Sequence, residues 1–154
     1  MLELNSSAPD FSLQDQDGAL HSLADFKGQW LVIYFYPKDD TPGCTIEACT
    51  FRDDSAELTA HNIHIVGISK DTVKSHKKFA EKFHLNFPLL SDTATTTIQA
   101  YGAWAKKKFM GKEYMGINRN TYIVDPTGKI RKIYENVTPL GHSGEILLDV
   151  QSFA

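Results

Sequence analysis

The chain has 154 residues, is 42% hydrophobic and 23% charged, and carries a formal net charge of −3. That composition is ordinary for a globular protein and long enough for one domain with a sizeable core, here expected to span 1–154 as a single unit. The acidic balance argues against a nucleic-acid binder, which would be basic. No apolar run approaches the roughly 20 residues of a membrane-spanning helix. The opening MLELNSSAPDF lacks a basic segment followed by an apolar stretch, so a cytoplasmic location is expected.

In chain order, two short strands are expected near 10–13 and 21–23, joined by a turn at Asp17-Gly18. Trp30 to Tyr36 is an unbroken apolar and aromatic run, rich in β-formers, which reads as a strand buried on both faces and ended by Pro37. From Thr45 to Ala60 the residues Ala48, Phe51, Ser55 and Leu58 recur at helical spacing, with Glu47, Asp54 and Glu57 on another face. A strand over 63–69, a helix over 72–84, a short strand over 87–90 and a short helix over 95–101 follow. Asp125-Pro-Thr-Gly128 is a reverse turn that should join strands over 122–124 and 129–134 into a hairpin. A helix over 143–153, with Ile146, Leu147 and Val150 inward, closes the chain. This alternation predicts an α/β fold, a mixed central sheet flanked by helices. Lys106-Lys-Lys108 reads as a solvated basic loop, Trp104 as loop packing, and most of the six histidines as surface residues.

Both cysteines of the chain lie in one stretch, YPKDDTPGCTIEAC, at positions 44 and 49. Cys44 falls just past the C-terminal end of the first buried strand, where sites gather in open α/β sheets. A helix beginning near it aims free N–H groups and a positive dipole end at the sulfur, an environment in which cysteines titrate at roughly 3.5–7.5. Thr41, three residues earlier, could bring its hydroxyl to the thiol or cap the helix. Pro37 and Pro42 stiffen the loop, and Gly43 leaves room for another molecule. Along a helix, five residues rise roughly 7.5 Å and rotate roughly 140°, placing the two Cα atoms on the order of 8–9 Å apart. A disulfide needs them within about 7 Å. Cys44 projects towards the core and Cys49 away from it, so the two can join only if the first turn and a half unwinds. In a reducing cytosol a permanent disulfide is not expected, whereas a transient one is.

The pattern Pro37-x-x-x-Thr41-x-x-Cys44 resembles the active-site signature of the peroxiredoxins. The longer YPKDDTPGCTIEACTFRD is similar to the bacterioferritin comigratory protein, or peroxiredoxin Q, group. APDFSL, WLVIYFYPK, FPLLSD and YMGINRNTYIVDPTGKI extend the likeness over nearly the whole chain. The resemblance implies a thioredoxin fold and a thiol peroxidase needing no cofactor or metal. It makes Cys44 the peroxidatic and Cys49 the resolving cysteine, joined transiently within one chain. Thr41 would hydrogen-bond the peroxide, Pro37 would shield the thiolate, and Arg119, in Arg119-Asn120-Thr121-Tyr122, would be the active-site cation. Implied partners are hydrogen peroxide, organic hydroperoxides and thioredoxin or a similar dithiol reductant, with no nucleic acid or membrane. A monomer is expected, with a weak dimer as the alternative. Tyr122, where the group carries Phe, and Thr50, where Gly is usual, depart from the pattern. Two other functions compete: a thiol–disulfide oxidoreductase, whose signature would be CxxC, and a metal-binding module using Cys44, Cys49 and a distant His142. Glu47 reads as a carboxylate at the helix start favoured by the dipole, with a proton-transfer role as the sharper alternative.

Overall fold

A computed structural model describes residues 2–153. Seven strands form one mixed sheet in the order β2-β1-β5-β4-β3-β8-β9, where β1 is Ser12–Gln14, β2 Leu20–Ser22, β3 Trp30–Phe35, β4 Ile63–Ser69, β5 Leu89–Ser91, β8 Thr121–Val124 and β9 Ile130–Tyr134. β6 (Trp104–Phe109) and β7 (Lys112–Ile117) make a separate two-stranded hairpin. The helices are α1 (Pro42–Ala60), α2 (Val73–Phe83), α3 (Thr96–Ala100) and α4 (His142–Phe153).

β3 runs parallel to β4 and antiparallel to β8, so it is central and hydrogen-bonded on both edges. Val32 and Tyr34 enter one apolar cluster with Ala48 and Phe51 of α1, Phe79 of α2 and Ile146 of α4. Leu31, Ile33 and Phe35 enter another with Ile98, Tyr101, Ile117 and Tyr122. With layers on both faces there is no solvent side to alternate towards, which is why the strand reads as a continuous apolar run. Tyr34 is registered opposite Gly67 of β4, and its ring covers that glycine: a Cβ there would lie 2.7 Å from it.

The expected mixed sheet with flanking helices is present, and the boundaries differ informatively. α1 starts at Pro42, three residues before the expected Thr45, because proline's fixed φ and missing N–H suit the first helical position. Cys44 therefore sits inside the first turn. α2 is bounded by Thr72, whose side chain accepts from the Ser75 N–H, and by His84 in the left-handed region (φ 53°). The short strands slide by a residue or two: β1 to 12–14, β2 to 20–22 and β5 to 89–91.

The stretch expected as a basic loop is the β6–β7 hairpin. Its two-residue turn, Met110-Gly111, has both φ positive (51° and 81°), as a tight hairpin demands. Lysines and a positive-φ methionine conceal that pattern from propensity alone. Trp104 is the first residue of β6, half-buried against the Leu31–Ile33–Phe35 cluster. Of the histidines only His61 and His84 are exposed; His76 and His142 are buried, and His21 and His64 lie between.

Candidate active site

β3 delivers the chain to Pro37, and the loop that follows is held from below. Tyr36 donates its hydroxyl to Asp39 Oδ1 (2.6 Å), and Ser75 Oγ donates to Asp39 Oδ2 (2.8 Å). His76 Nδ1 meets the same Oδ2 at 2.8 Å, and its Nε2 meets the Leu90 carbonyl at 3.1 Å. The Asp39 N–H donates to Asp71 Oδ2 (2.9 Å). This buried network ties the loop to α2 and β5 and so fixes where α1 begins. Sequence reasoning missed it because its side chains come from as far as 40 residues apart, from Tyr36 to His76.

The start of α1 places Cys44 with its side chain inward, 1% exposed. Arg119, in the short link between β7 and β8, donates from Nη2 to Cys44 Sγ at 3.3 Å and from Nη1 to Glu47 Oε1 at 2.8 Å. Its segment is anchored: the Phe35 N–H donates to the Asn120 carbonyl (2.8 Å) and the Val137 N–H to the Arg119 carbonyl (2.7 Å). Gly43 adjoins the guanidinium; a Cβ there would stand 3.1 Å from Nη2 and 3.8 Å from Pro139 Cγ. The Cys44 sulfur thus has a fixed cation 3.3 Å away and lies in the first turn of a helix, near its positive end.

Glu47 differs from its expected role. It is not at the helix edge but 0% exposed, and its Oε2 has no hydrogen-bond partner among the described residues. Burial pushes its carboxyl up to about 7, against the pull of Arg119. Burial lowers the Arg119 pKa, but Cys44 and Glu47 together outweigh it and raise the value above the usual one. Helical spacing alone puts Glu47 on a face with Asp54 and Glu57, because the partner that accompanies its burial comes from 72 residues downstream.

Thr41 occupies the N-cap position of α1, yet its hydroxyl donates to the Lys38 carbonyl (2.9 Å) rather than reaching the sulfur or a helix N–H. Its lone pairs remain available. Pro37 is half-buried at the end of β3. Cys49 is half-buried and free, in the same unbroken helix as Cys44. Cys44, Cys49 and His142 do not gather as ligands. The cluster that does, Asp39, Asp71 and His76, has its ligand atoms within 4.8 Å of one another. Those atoms are already engaged by Tyr36, Ser69, Ser75 and each other, which is the pattern of a structural network. A cavity of about 380 Å³ between Tyr134, Thr138, Leu140 and His142 contains none of Cys44, Glu47 or Arg119, so the thiol and its charges, not concavity, locate the chemistry.

Known proteins resemble the chain over most of its length. The model of the AhpC/TSA family matches residues 4–133. The putative peroxiredoxin bcp of Coxiella burnetii is 44% identical over 146 residues, 95% of this chain and 97% of that one. Peroxiredoxin Bcp of Escherichia coli is 43% identical, covering 95% and 94%. Among solved structures, the bacterioferritin comigratory protein of Xanthomonas campestris superposes with TM-score 0.91 at 35% identity, covering 99% of this chain and 98% of that one. A cysteine-to-serine mutant of Xylella fastidiosa PrxQ gives 0.94 at 30% identity, covering 99% and 98%. The chain belongs to the AhpC/TSA family of thiol peroxidases, and within it to the Bcp/PrxQ group of peroxiredoxins. Its sheet and helices accordingly match the thioredoxin-like fold of those structures.

Proposed function

We propose that Cys44 is the peroxidatic and Cys49 the resolving cysteine of a one-domain peroxidase acting on hydrogen peroxide and organic hydroperoxides. The observation that carries this reading is the Arg119 Nη2 contact to Cys44 Sγ at 3.3 Å in the first turn of α1. The Cys44 thiolate attacks one oxygen of ROOH. The O–O bond breaks, and the electron pair leaves with RO−, which takes a proton to become ROH. Arg119 balances the charge that shifts from sulfur to oxygen, and Thr41, rotated from Lys38, donates to the peroxide. Pro37 keeps water from the thiolate. Cys44 is left as sulfenic acid. The first turns of α1 unwind, the Cys49 thiolate attacks the Cys44 sulfur, the S–O bond breaks, the departing hydroxide takes up a proton to become water, and an intramolecular disulfide forms.

Exchange with thioredoxin or a comparable dithiol returns both cysteines to thiols. Alkyl hydroperoxides are favoured as a substrate class because the Xanthomonas campestris relative is described by its alkyl peroxide reduction activity. No described helix is long and apolar enough to cross a membrane, and action as a cytoplasmic monomer, or at most a weak dimer, completes the proposal. Stopped-flow mixing with hydrogen peroxide and with an organic hydroperoxide, followed by a thiol count, tests it. The native chain should oxidise orders of magnitude faster than a free thiol and lose two thiols per chain. Cys44→Ser should retain no more than a few per cent of turnover, since a serine hydroxyl is not ionised at neutral pH. Substantial residual turnover would reassign the nucleophile.

A further inference from the structure

One peptide group in the loop before α1 has a fixed partner on each side. It joins Lys38 to Asp39. Its N–H donates to Asp71 Oδ2 at 2.9 Å, and its carbonyl accepts from Thr41 Oγ1 at 2.9 Å. A trans peptide is planar, with N–H and C=O pointing in opposite directions, so fixing one aims the other. Asp40 takes a left-handed φ of 56°, which turns the chain and lets the Thr41 hydroxyl meet the Lys38 carbonyl.

Asp71, in the link between β4 and α2, is itself held. Ser69 Oγ donates to the same Oδ2 at 2.7 Å, and the Asp71 N–H donates back to Ser69 Oγ at 3.1 Å. Ser91 Oγ donates to the Asp71 carbonyl at 2.6 Å. Ser69 ends β4 and Ser91 ends β5, so the sheet itself fixes this carboxylate. A bond from an N–H to a carboxylate is charge-assisted, and it polarises the peptide, making the carbonyl a better acceptor for the Thr41 hydroxyl. A continuous series of hydrogen bonds therefore runs from the end of β4 to the hydroxyl three residues before Cys44.

Taking Thr41 as the hydrogen-bond partner of the peroxide, we propose that Asp71 is a positioning residue of the peroxidase reaction. Through the Lys38–Asp39 peptide it sets where the Thr41 hydroxyl rests before the peroxide arrives. Without the carboxylate the peptide can turn about its flanking bonds, its carbonyl swings away, and the hydroxyl loses its resting place. Reaction with peroxide then starts from a disordered Thr41. Attack of the same sulfur on a reagent that needs no hydroxyl is unaffected. A tie that only braced the loop would act on the start of α1 as well, and would alter every reaction of Cys44.

The test compares two reactions of Cys44 in a Cys49→Ser background: stopped-flow oxidation by hydrogen peroxide and alkylation by iodoacetamide at the same pH. Asp71→Ala should slow oxidation about fivefold, the worth of one hydrogen bond, and leave alkylation unchanged. Asp71→Asn retains an acceptor for the Asp39 N–H and should recover most of the lost rate. Thr41→Val should slow oxidation at least as much. Adding Asp71→Ala to it should cost nothing further, because the hydroxyl that Asp71 positions is gone. Ser69→Ala leaves the carboxylate but removes the hydroxyl that steers it. It should show the same selective loss at about twofold, and it decides the matter if Asp71→Ala does not fold. An unchanged oxidation rate in Asp71→Ala, a parallel fall in alkylation, or multiplied losses in the double variant would overturn the positioning role. Thr41→Val oxidised at the native rate would instead defeat the reading of Thr41 itself.

Discussion

At the scale of single residues, the site is built around one buried carboxylate. Glu47 is fully enclosed, bonded to Arg119 through one oxygen and unpartnered at the other. Its carboxyl is raised from the usual 4.5 to about 7, chiefly by burial. Between those two values the folded chain holds a proton that the unfolded chain has released, so stability falls as pH rises through that window and then levels off. Glu47→Gln keeps a hydrogen-bond acceptor for Arg119 and removes the titration. Urea midpoints measured from pH 4 to 8 should decline for the native chain and show a shallower decline for the variant. Parallel curves for the two proteins would mean that Glu47 is ionised throughout.

At the scale of elements, α1 has two conflicting duties. Its intact first turn presents Cys44 to Arg119, and the same turn keeps Cys44 and Cys49 too far apart to join. Farther along, Arg52 Nη1 donates to the Phe83 carbonyl at the end of α2 (2.7 Å), which anchors the helix beyond Cys49. Opening is therefore expected over Pro42–Thr50 and to stop near Arg52. Amide exchange should be faster over that stretch in the disulfide form than in the reduced form, with protection kept towards Leu58; equal exchange in both, with the Cys44–Cys49 bond confirmed by mass spectrometry, would refute the unwinding step. Cys49→Ser should oxidise once, accumulate sulfenic acid and progress to sulfinic acid at high peroxide.

Thr50 lies in the same turn, and its hydroxyl donates to the Ile46 carbonyl (2.8 Å). Thr50→Gly lowers helix propensity by a few tenths of a kcal/mol and removes that bond, so disulfide formation should accelerate about twofold or more while the first oxidation keeps its rate. A slower second phase in stopped-flow traces would contradict this.

At the scale of the whole molecule, the site depends on a sheet packed on both faces. Tyr34 lies over Gly67 and beside Phe51 of α1 (ring centroids 4.8 Å), linking the central strands to the helix that bears Cys44. In Gly67→Ala the new methyl would sit 2.7 Å from the Tyr34 ring, which is enclosed and cannot swing clear. A loss of roughly 1–3 kcal/mol is expected, read as a lower urea midpoint at unchanged slope. Because Tyr34 packs under α1, peroxide reactivity should fall as well. A variant as stable as the native chain would show that the ring has room to move.

The local chemistry of the sequence determined the elements whose signals are local. The continuous apolar run of β3, the Asp125-Pro-Thr-Gly128 turn and the helical spacing along α1 each follow from contacts or dihedral preferences within a few residues. The spacing of Cys44 and Cys49 likewise dictated, through helix geometry, that they cannot join while α1 is intact. Tertiary structure decided what depends on partners distant in the chain. It took Glu47 from a polar helix face into full burial against Arg119, 72 residues away. It turned Lys107 inward across Gly116 while leaving Lys106 and Lys108 in solvent. It also buried His76 beneath the Pro37–Thr41 loop through Asp39. Each is a polar side chain whose burial depends on a partner the fold brings from elsewhere in the chain, and no local pattern of residues carries that information.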